Sequence, residues 1–265
     1  MTTRVLGRWP VRLGVTLLYL FLLAPIIITV VISFSADDFL QFPPSGWSLK
    51  WYQALFANGG GFASALQVSV LVATGSSALS AAVSIPAAVA LSRGKFRGRQ
   101  AVESIFLAPL LVPAIVVGLG LLLVFSPLGL KGTYQGLILA NAGLVIPYVI
   151  RTTLLSLTTM DARCEEAAQT LGASPAVVFR TVTLPLILPG VLSGFVLAFL
   201  LTFDEAVVSL FLVSSRVKTL PIAMFDYVQT RTDPLLAAVS TMLIVLSVVI
   251  VIVVERLVGL RRVLR

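Results

Sequence analysis

Charged residues fall along this chain in clusters, and six stretches between them carry none: 13–36, 51–92, 104–130, 132–150, 181–203 and 234–254. A helix needs about 20 apolar residues to cross a hydrocarbon core of about 30 Å. A buried soluble core explains any one such run, but not six with so little polar sequence between them. The runs are apolar on every side rather than alternating, which favours helices over barrel strands. Run 51–92 is longer than one crossing needs; its first part holds Asn58 and three consecutive glycines ending at Gly61, and reads as a loop leading into the span. The predicted spans are 13–34, 64–91, 104–125, 134–156, 186–211 and 234–254. The expected fold class is all-α, a polytopic membrane protein with six transmembrane helices.

Composition sharpens this. Of 265 residues 58% are apolar and 11% charged, where a soluble domain carries about a quarter charged residues. The first run, flanked by Arg4, Arg8 and Arg12, is too long for a signal-peptide core, so a retained helix is expected. Lysine and arginine are unevenly divided between alternate sides of the spans. One side takes Arg4, Arg8, Arg12, Arg93, Lys95, Arg97, Arg99, Arg151, Arg163, Arg180, Arg256, Arg261, Arg262 and Arg265; the other takes Lys50, Lys131, Arg216, Lys218 and Arg231. The positive-inside rule then puts both termini in the cytoplasm, as an even number of spans requires. The net charge of +8 reflects this topology and anionic lipid headgroups; its clusters abut spans, so no nucleic-acid partner is expected. With one cysteine, Cys164, and no histidine, neither an internal disulfide nor a soft-metal site is expected.

Prolines at 109, 113, 147 and 189 lie within spans three to five, where neighbouring groups can satisfy the carbonyls they free. Ala65, Ser69, Ala73, Ser77 and Ala81 recur every four residues in span two, a stripe along which another helix can approach closely, read here as bundle packing.

The connection 160–185 is the longest on the cytoplasmic side. It predicts two short helices with a break. Asp161 caps the first and acidic residues follow in its first turns. Gly172 stops it. Ser174 caps the second, with Pro175 at its first position, and Pro185 ends it at the membrane. Ala167, Ala168 and Leu171 beside Glu165 and Glu166 give a small, shallow face that another protein can grip.

Here the pattern becomes specific. Glu166-Ala167-Ala168, three residues, Gly172, nine residues, Val182, one residue and Leu184-Pro185 resembles the EAA motif of ABC importer permeases, EAA-x3-G-x9-I-x-L-P, with Val182 in place of isoleucine. Glu-Ala-Ala alone is common in helices; the full spacing, two spans before the C-terminus, is not. The resemblance covers nearly the whole chain. It implies a type I ABC importer permease-like fold, in which this loop is a cytoplasmic coupling helix docked into a cleft on the ATPase subunit through Glu166, Ala167, Ala168 and Gly172; Glu165 and Leu171, on the same small helix, complete the expected coupling set. The chain has no G-x-x-x-x-G-K-[ST] phosphate loop. It is therefore expected to be a non-catalytic subunit without a cofactor, with ATP and Mg bound by a partner ATPase.

Within that family the chain is similar to the spermidine/putrescine class, through Leu201-Thr202-Phe203-Asp204-Glu205-Ala206-Val207-Val208-Ser209, Thr219-Leu220-Pro221 and Asp233-Pro234. Asp204 and Glu205 are the only acidic residues well inside a predicted span. A charge there costs about 2.5–3.5 kcal/mol on insertion scales, so it faces the bundle or a water-filled path. Neighbouring helical residues point about 100° apart, so one of the two lines such a path. A substrate role and a structural or gating role stay open; the pair can instead cap a broken helix, pair with an arginine of a partner permease, or lie near the outer interface. Phe195, Phe199, Phe203, Tyr227, Phe225 and Tyr148 can stack on an organic cation or simply pack in the membrane. The expected substrate-path residues are Asp204, Glu205, Phe203 and Tyr148. Asp37, Asp38, Asp226 and Asp233 lie outside the spans, where they can steer a cation or remain solvated carboxylates.

The expected organisation is a cytoplasmic N-terminus at 1–12, a permease domain at 13–256 containing the coupling loop, and a basic tail at 257–265, in a bacterial inner membrane. Implied partners are an ATPase dimer, a second homologous permease, an extracytoplasmic solute-binding protein and lipid. A secondary carrier would show inverted repeats with charged, interrupted helices at midplane; no convincing repeat is seen. A membrane-embedded enzyme would need a nucleophile, base or metal constellation, which one cysteine, no histidine and one acidic pair do not supply.

Overall fold

The apolar runs fold as helices, but not all as straight ones. A computed structural model describes residues 8–57, 61–94 and 96–258; Arg4, Lys95, Arg261, Arg262 and Arg265 of the charge pattern lie outside them. Among the described residues every regular element is a helix: α1 (Arg8–Ser33), α2 (Lys50–Ala57), α3 (Phe62–Arg93), α4 (Arg99–Leu107), α5 (Ala114–Phe125), α6 (Tyr134–Thr159), α7 (Arg163–Thr170), α8 (Pro175–Val178), α9 (Leu184–Phe203), α10 (Val207–Leu212), α11 (Leu220–Thr230) and α12 (Leu235–Val258). Among the described residues, four stretches are long and apolar enough to cross a membrane: Val11–Ser33, Phe62–Arg93, Tyr134–Thr159 and Pro175–Phe203. Helix α12 covers the last apolar run.

The third predicted span is not one straight helix. Arg99–Leu111 and Ala114–Phe125 meet at 102°. The cause is Pro113. The residue before a proline is pushed out of the helical region, and Val112 is extended at φ −94, ψ 128. The last turn before it, Ala108–Leu111, tightens to a 3-10 helix. The fifth span also breaks, after Phe203, and resumes as α10.

The described residues divide into two compact units, one within 1–62 and 224–252, the other within 63–223 and 253–265. In the first, the 34–49 segment is organised around Asp37. Its carboxylate accepts from the Ser45 hydroxyl and amide and the Ser35 hydroxyl, and those bonds, the Ser45 hydroxyl first, hold its pKa below the usual value. Lys50 pairs with Asp38 at 2.7 Å. Asp233 accepts the Tyr227 hydroxyl at 2.8 Å and the Leu235 amide at 3.1 Å, so it caps α12. The carboxylates Asp37, Asp38 and Asp233 are thus engaged in holding local structure.

The second unit is built on α3, α6 and α9. All five small residues of the α3 stripe are buried. Their size lets Ser76 donate to the Ile138 carbonyl at 3.1 Å and Ser84 to the Ile146 carbonyl at 3.4 Å. The same eight-residue step in both helices means that α3 and α6 run parallel. Against α6, α9 presents Gly190 and Gly194. A Cβ at Gly190 would overlap Ser156 Oγ, and one at Gly194 the Thr152 hydroxyl. The order of these contacts is reversed along the two helices, so α6 and α9 run antiparallel, at a separation that only small residues allow.

Candidate functional site

The 160–185 connection begins as expected. Asp161 Oδ1 accepts the Arg163 amide at 3.0 Å, opening α7. At its other end Gly172 takes φ +85. The Gly172 amide reaches the Gln169 carbonyl at 2.9 Å and the Ala173 amide reaches Ala168 at 3.1 Å. These are the paired bonds of a Schellman stop, and the positive φ they need is what glycine supplies.

Beyond Gly172 the outcome differs from the prediction. Ser174 starts a helix at Pro175 but makes no side-chain cap bond, and Pro185 does not end it. Residues Phe179–Thr183 form a π turn, and the helix continues as one 29-residue run to Phe203. A proline in a regular helix clashes with the carbonyl four residues back. The wider π turn just before Pro185 accommodates the ring, so the second short helix is the start of the fifth long one.

Within α7 the side chains divide. Glu165 Oε2 pairs with Arg93 of α3 at 2.9 Å, and Glu165 Oε1 accepts the Thr183 hydroxyl at 2.6 Å. Thr183 is buried. Glu165 therefore joins α7 to the end of α3 and to the π turn. The pair is partly solvated, so its worth is about 1 kcal/mol or less and its effect is geometric. Arg93 entered the charge pattern only as a topology signal; nothing local in the sequence pairs it with Glu165. Glu166, Ala167, Leu171 and Gly172 are exposed and Ala168 is half-buried, and Leu171 is 89% exposed. Cys164, Ala168 and Leu171 share one helical face by their spacing, and Cys164 is free and exposed.

The acidic pair sits at the break in span five. Glu205 Oε1 accepts the Val208 amide at 2.7 Å, and Oε2 accepts the Ser209 amide and hydroxyl, both at 2.9 Å. Glu205 thereby caps α10. Asp204 is exposed, and Phe203 stacks on Phe199 with ring centres 5.9 Å apart. The bend at Pro113, α6 and the end of α9 border a partly open cavity of about 240 Å³, lined by Pro109, Leu110, Val112, Ala114, Asn141, Leu144, Val145, Tyr148, Leu201 and Glu205. The structure thus brings Tyr148 and Glu205 to one cavity, while Asp204 and Phe203 are not among its lining residues. Of the other aromatic candidates, Tyr227 lies beneath the Arg231 guanidinium at 5.5 Å and against Phe62 at 5.2 Å.

Asn141 was not singled out from the sequence. Its side chain is 1% exposed, Nδ2 donates to the Leu137 carbonyl at 2.9 Å, and Oδ1 has no partner. The signal is an amide amid the apolar residues that follow Gly136, seven residues before Tyr148 and so on the same helical face.

Sequence and fold are both similar to those of known transport proteins. The chain is 37% identical over 234 residues to the spermidine/putrescine transport system permease protein PotC of Haemophilus influenzae, covering 88% of this chain and 90% of that one. It is 34% identical over 245 residues to the putrescine transport system permease protein PotI of Escherichia coli, covering 89% and 86%. In fold it resembles a chain of a bacterial ABC transporter involved in the import of the acidic polysaccharide alginate, with a TM-score of 0.68 at 20% identity over 97% of this chain and 99% of that one. Residues 80–262 match the binding-protein-dependent transport system inner membrane component family, and the chain belongs to that family.

Proposed function

We propose that this chain is one permease half of an ATP-driven importer for a small organic polycation, a polyamine such as spermidine or putrescine. The observation that carries this reading is the identity of 34–37% over nearly nine-tenths of the chain to permeases named for those solutes. The chain crosses the bacterial inner membrane six times with both termini cytoplasmic. Parallel α3 and α6 support counting the bent Arg99–Phe125 segment as one crossing, because the chain must return to its starting side between them. Charge asymmetry supports the orientation.

Segment 160–185 is the coupling loop. Glu166, Ala167, Ala168, Leu171 and Gly172 face the ATPase, and Glu165 ties the docked helix to α3 and the π turn. ATP and Mg belong to the partner ATPase dimer; a second permease completes the path, and an extracytoplasmic solute-binding protein delivers the solute. Closure of the ATPase dimer pushes on α7, and the Arg93–Glu165–Thr183 link carries that push into the long helices, tilting the bundle between inward- and outward-facing states. Tyr148 and Glu205 line the path, with Asp204 and Phe203 beside it at the helix break.

Cys164 tests the arrangement without mutation. A membrane-impermeant maleimide is expected to label it in inside-out vesicles and not in intact cells, and bound ATPase is expected to slow the labelling at least several-fold. Labelling from outside, or an unchanged rate in the assembled complex, contradicts the assignment.

A further inference from the structure

We infer that the cavity at the Pro113 bend is a subsite for a protonated amine and that Asn141 is its selecting residue, an inference that rests on the reading of the chain as a polyamine permease. Asn141 is 1% exposed, and its Oδ1 is buried without a partner. The amide orientation follows from its neighbour. The Leu137 carbonyl can only accept, so Nδ2 faces it at 2.9 Å, and the oxygen is the unpartnered atom of a residue that lines the cavity. A buried acceptor without a donor costs free energy, so its presence in this wall points to a ligand that supplies the donor.

The remaining polar groups around the cavity fit the same ligand. Glu205 brings a carboxylate and Tyr148 a phenol, and no lysine or arginine is among the residues lining it. Three groups rich in oxygen acceptors, set in apolar walls of Pro109, Leu144 and Leu201, complement an N–H-bearing cation with an aliphatic stem and disfavour an anion. Asn141 and Tyr148 lie two helical turns apart on α6, about 10 Å along its axis, so the site is elongated along the helix, as a linear amine requires. Glu205 is already held by three donors at the start of α10; Asn141 is the group with acceptor capacity wholly unspent.

The test uses the complete complex in proteoliposomes with its ATPase and loaded binding protein, measuring putrescine and spermidine uptake per ATP hydrolysed. Asn141→Leu is expected to assemble at least as well as wild type, because the carbonyl that Nδ2 meets already lies in the α6 ladder and the orphan oxygen is removed. Its uptake per ATP is expected to fall about tenfold or more, as for loss of a hydrogen bond to a charged group, while ATPase stimulation by the binding protein persists. Asn141→Asp, which keeps the oxygen, is expected to retain most of the uptake. Wild-type uptake in Asn141→Leu overturns the inference, as does equal loss in both variants with the complex intact. Failure of Asn141→Leu to assemble overturns it too, since packing would then account for the buried amide. Wild-type complex that moves neither amine sinks the polyamine reading itself, whereas wild-type transport shared by Asn141→Leu sinks only the subsite.

Discussion

Gly172→Pro abolishes solute uptake while leaving the protein inserted in the membrane. Gly172 holds φ +85, and proline is fixed near −65°. The substitution also removes the amide that bonds to the Gln169 carbonyl at 2.9 Å. The Schellman stop is lost, and α7 no longer ends where its exposed face can be held against a partner. The damage stays local, because Gly172 is exposed and nothing lies within 4 Å of the position a Cβ would occupy. Gly172→Ala meets the same φ without losing the amide. It costs about 1 kcal/mol and is expected to reduce uptake only partly. Uptake, binding-protein-stimulated ATPase activity and membrane content measured on the same preparations decide this. Wild-type uptake by the proline variant removes the coupling role from this loop.

Glu205→Leu is the second large effect. Its carboxylate satisfies the first free amides of α10, at Val208 and Ser209, together with the buried Ser209 hydroxyl. Orphaning buried donors costs about 1–3 kcal/mol each, so the leucine variant is expected to lower the stability of the assembled complex by at least about 2 kcal/mol and to lose transport. Glu205→Gln separates fold from path. Its amide oxygen still accepts one bond and most stability is retained, but the negative charge is gone, so cation uptake is expected to fall several-fold. Thermal denaturation alongside uptake checks both. Full transport by the glutamine variant confines Glu205 to capping.

How much of this was legible in the sequence depended on whether the signal was local. The predicted spans 64–91 and 134–156 lie within single helices, α3 and α6, because nothing within them interrupts the backbone ladder strongly enough. The 102° bend is not legible in the same way: prolines at 109 and 113 are compatible with a membrane helix, and only the backbone shows that Val112 leaves the helical region. Proline misled in the opposite direction at Pro185, where a π turn lets the helix continue; whether a proline stops or is absorbed depends on backbone upstream of it. Gly172 was readable because a positive φ after a short helix is a local demand. The Arg93–Glu165 link was not, because it joins segments distant in sequence. Tyr148 and Glu205 carried local signals of their own, but that they share a cavity depends on how α6 and α9 pack. Asn141 shows that an uncharged buried amide in a span merits the same scrutiny as a charge.

The most direct measurement of the central claim is reconstitution. The chain would be co-expressed with the products of its neighbouring genes, extracted in mild detergent and placed in liposomes with ATP inside and radiolabelled spermidine and loaded binding protein outside. The account predicts a stoichiometric complex with an ATPase and a second permease, and accumulation of the amine that requires ATP. A chain that purifies alone, or moves the solute without ATP, contradicts it and makes a secondary carrier the better description.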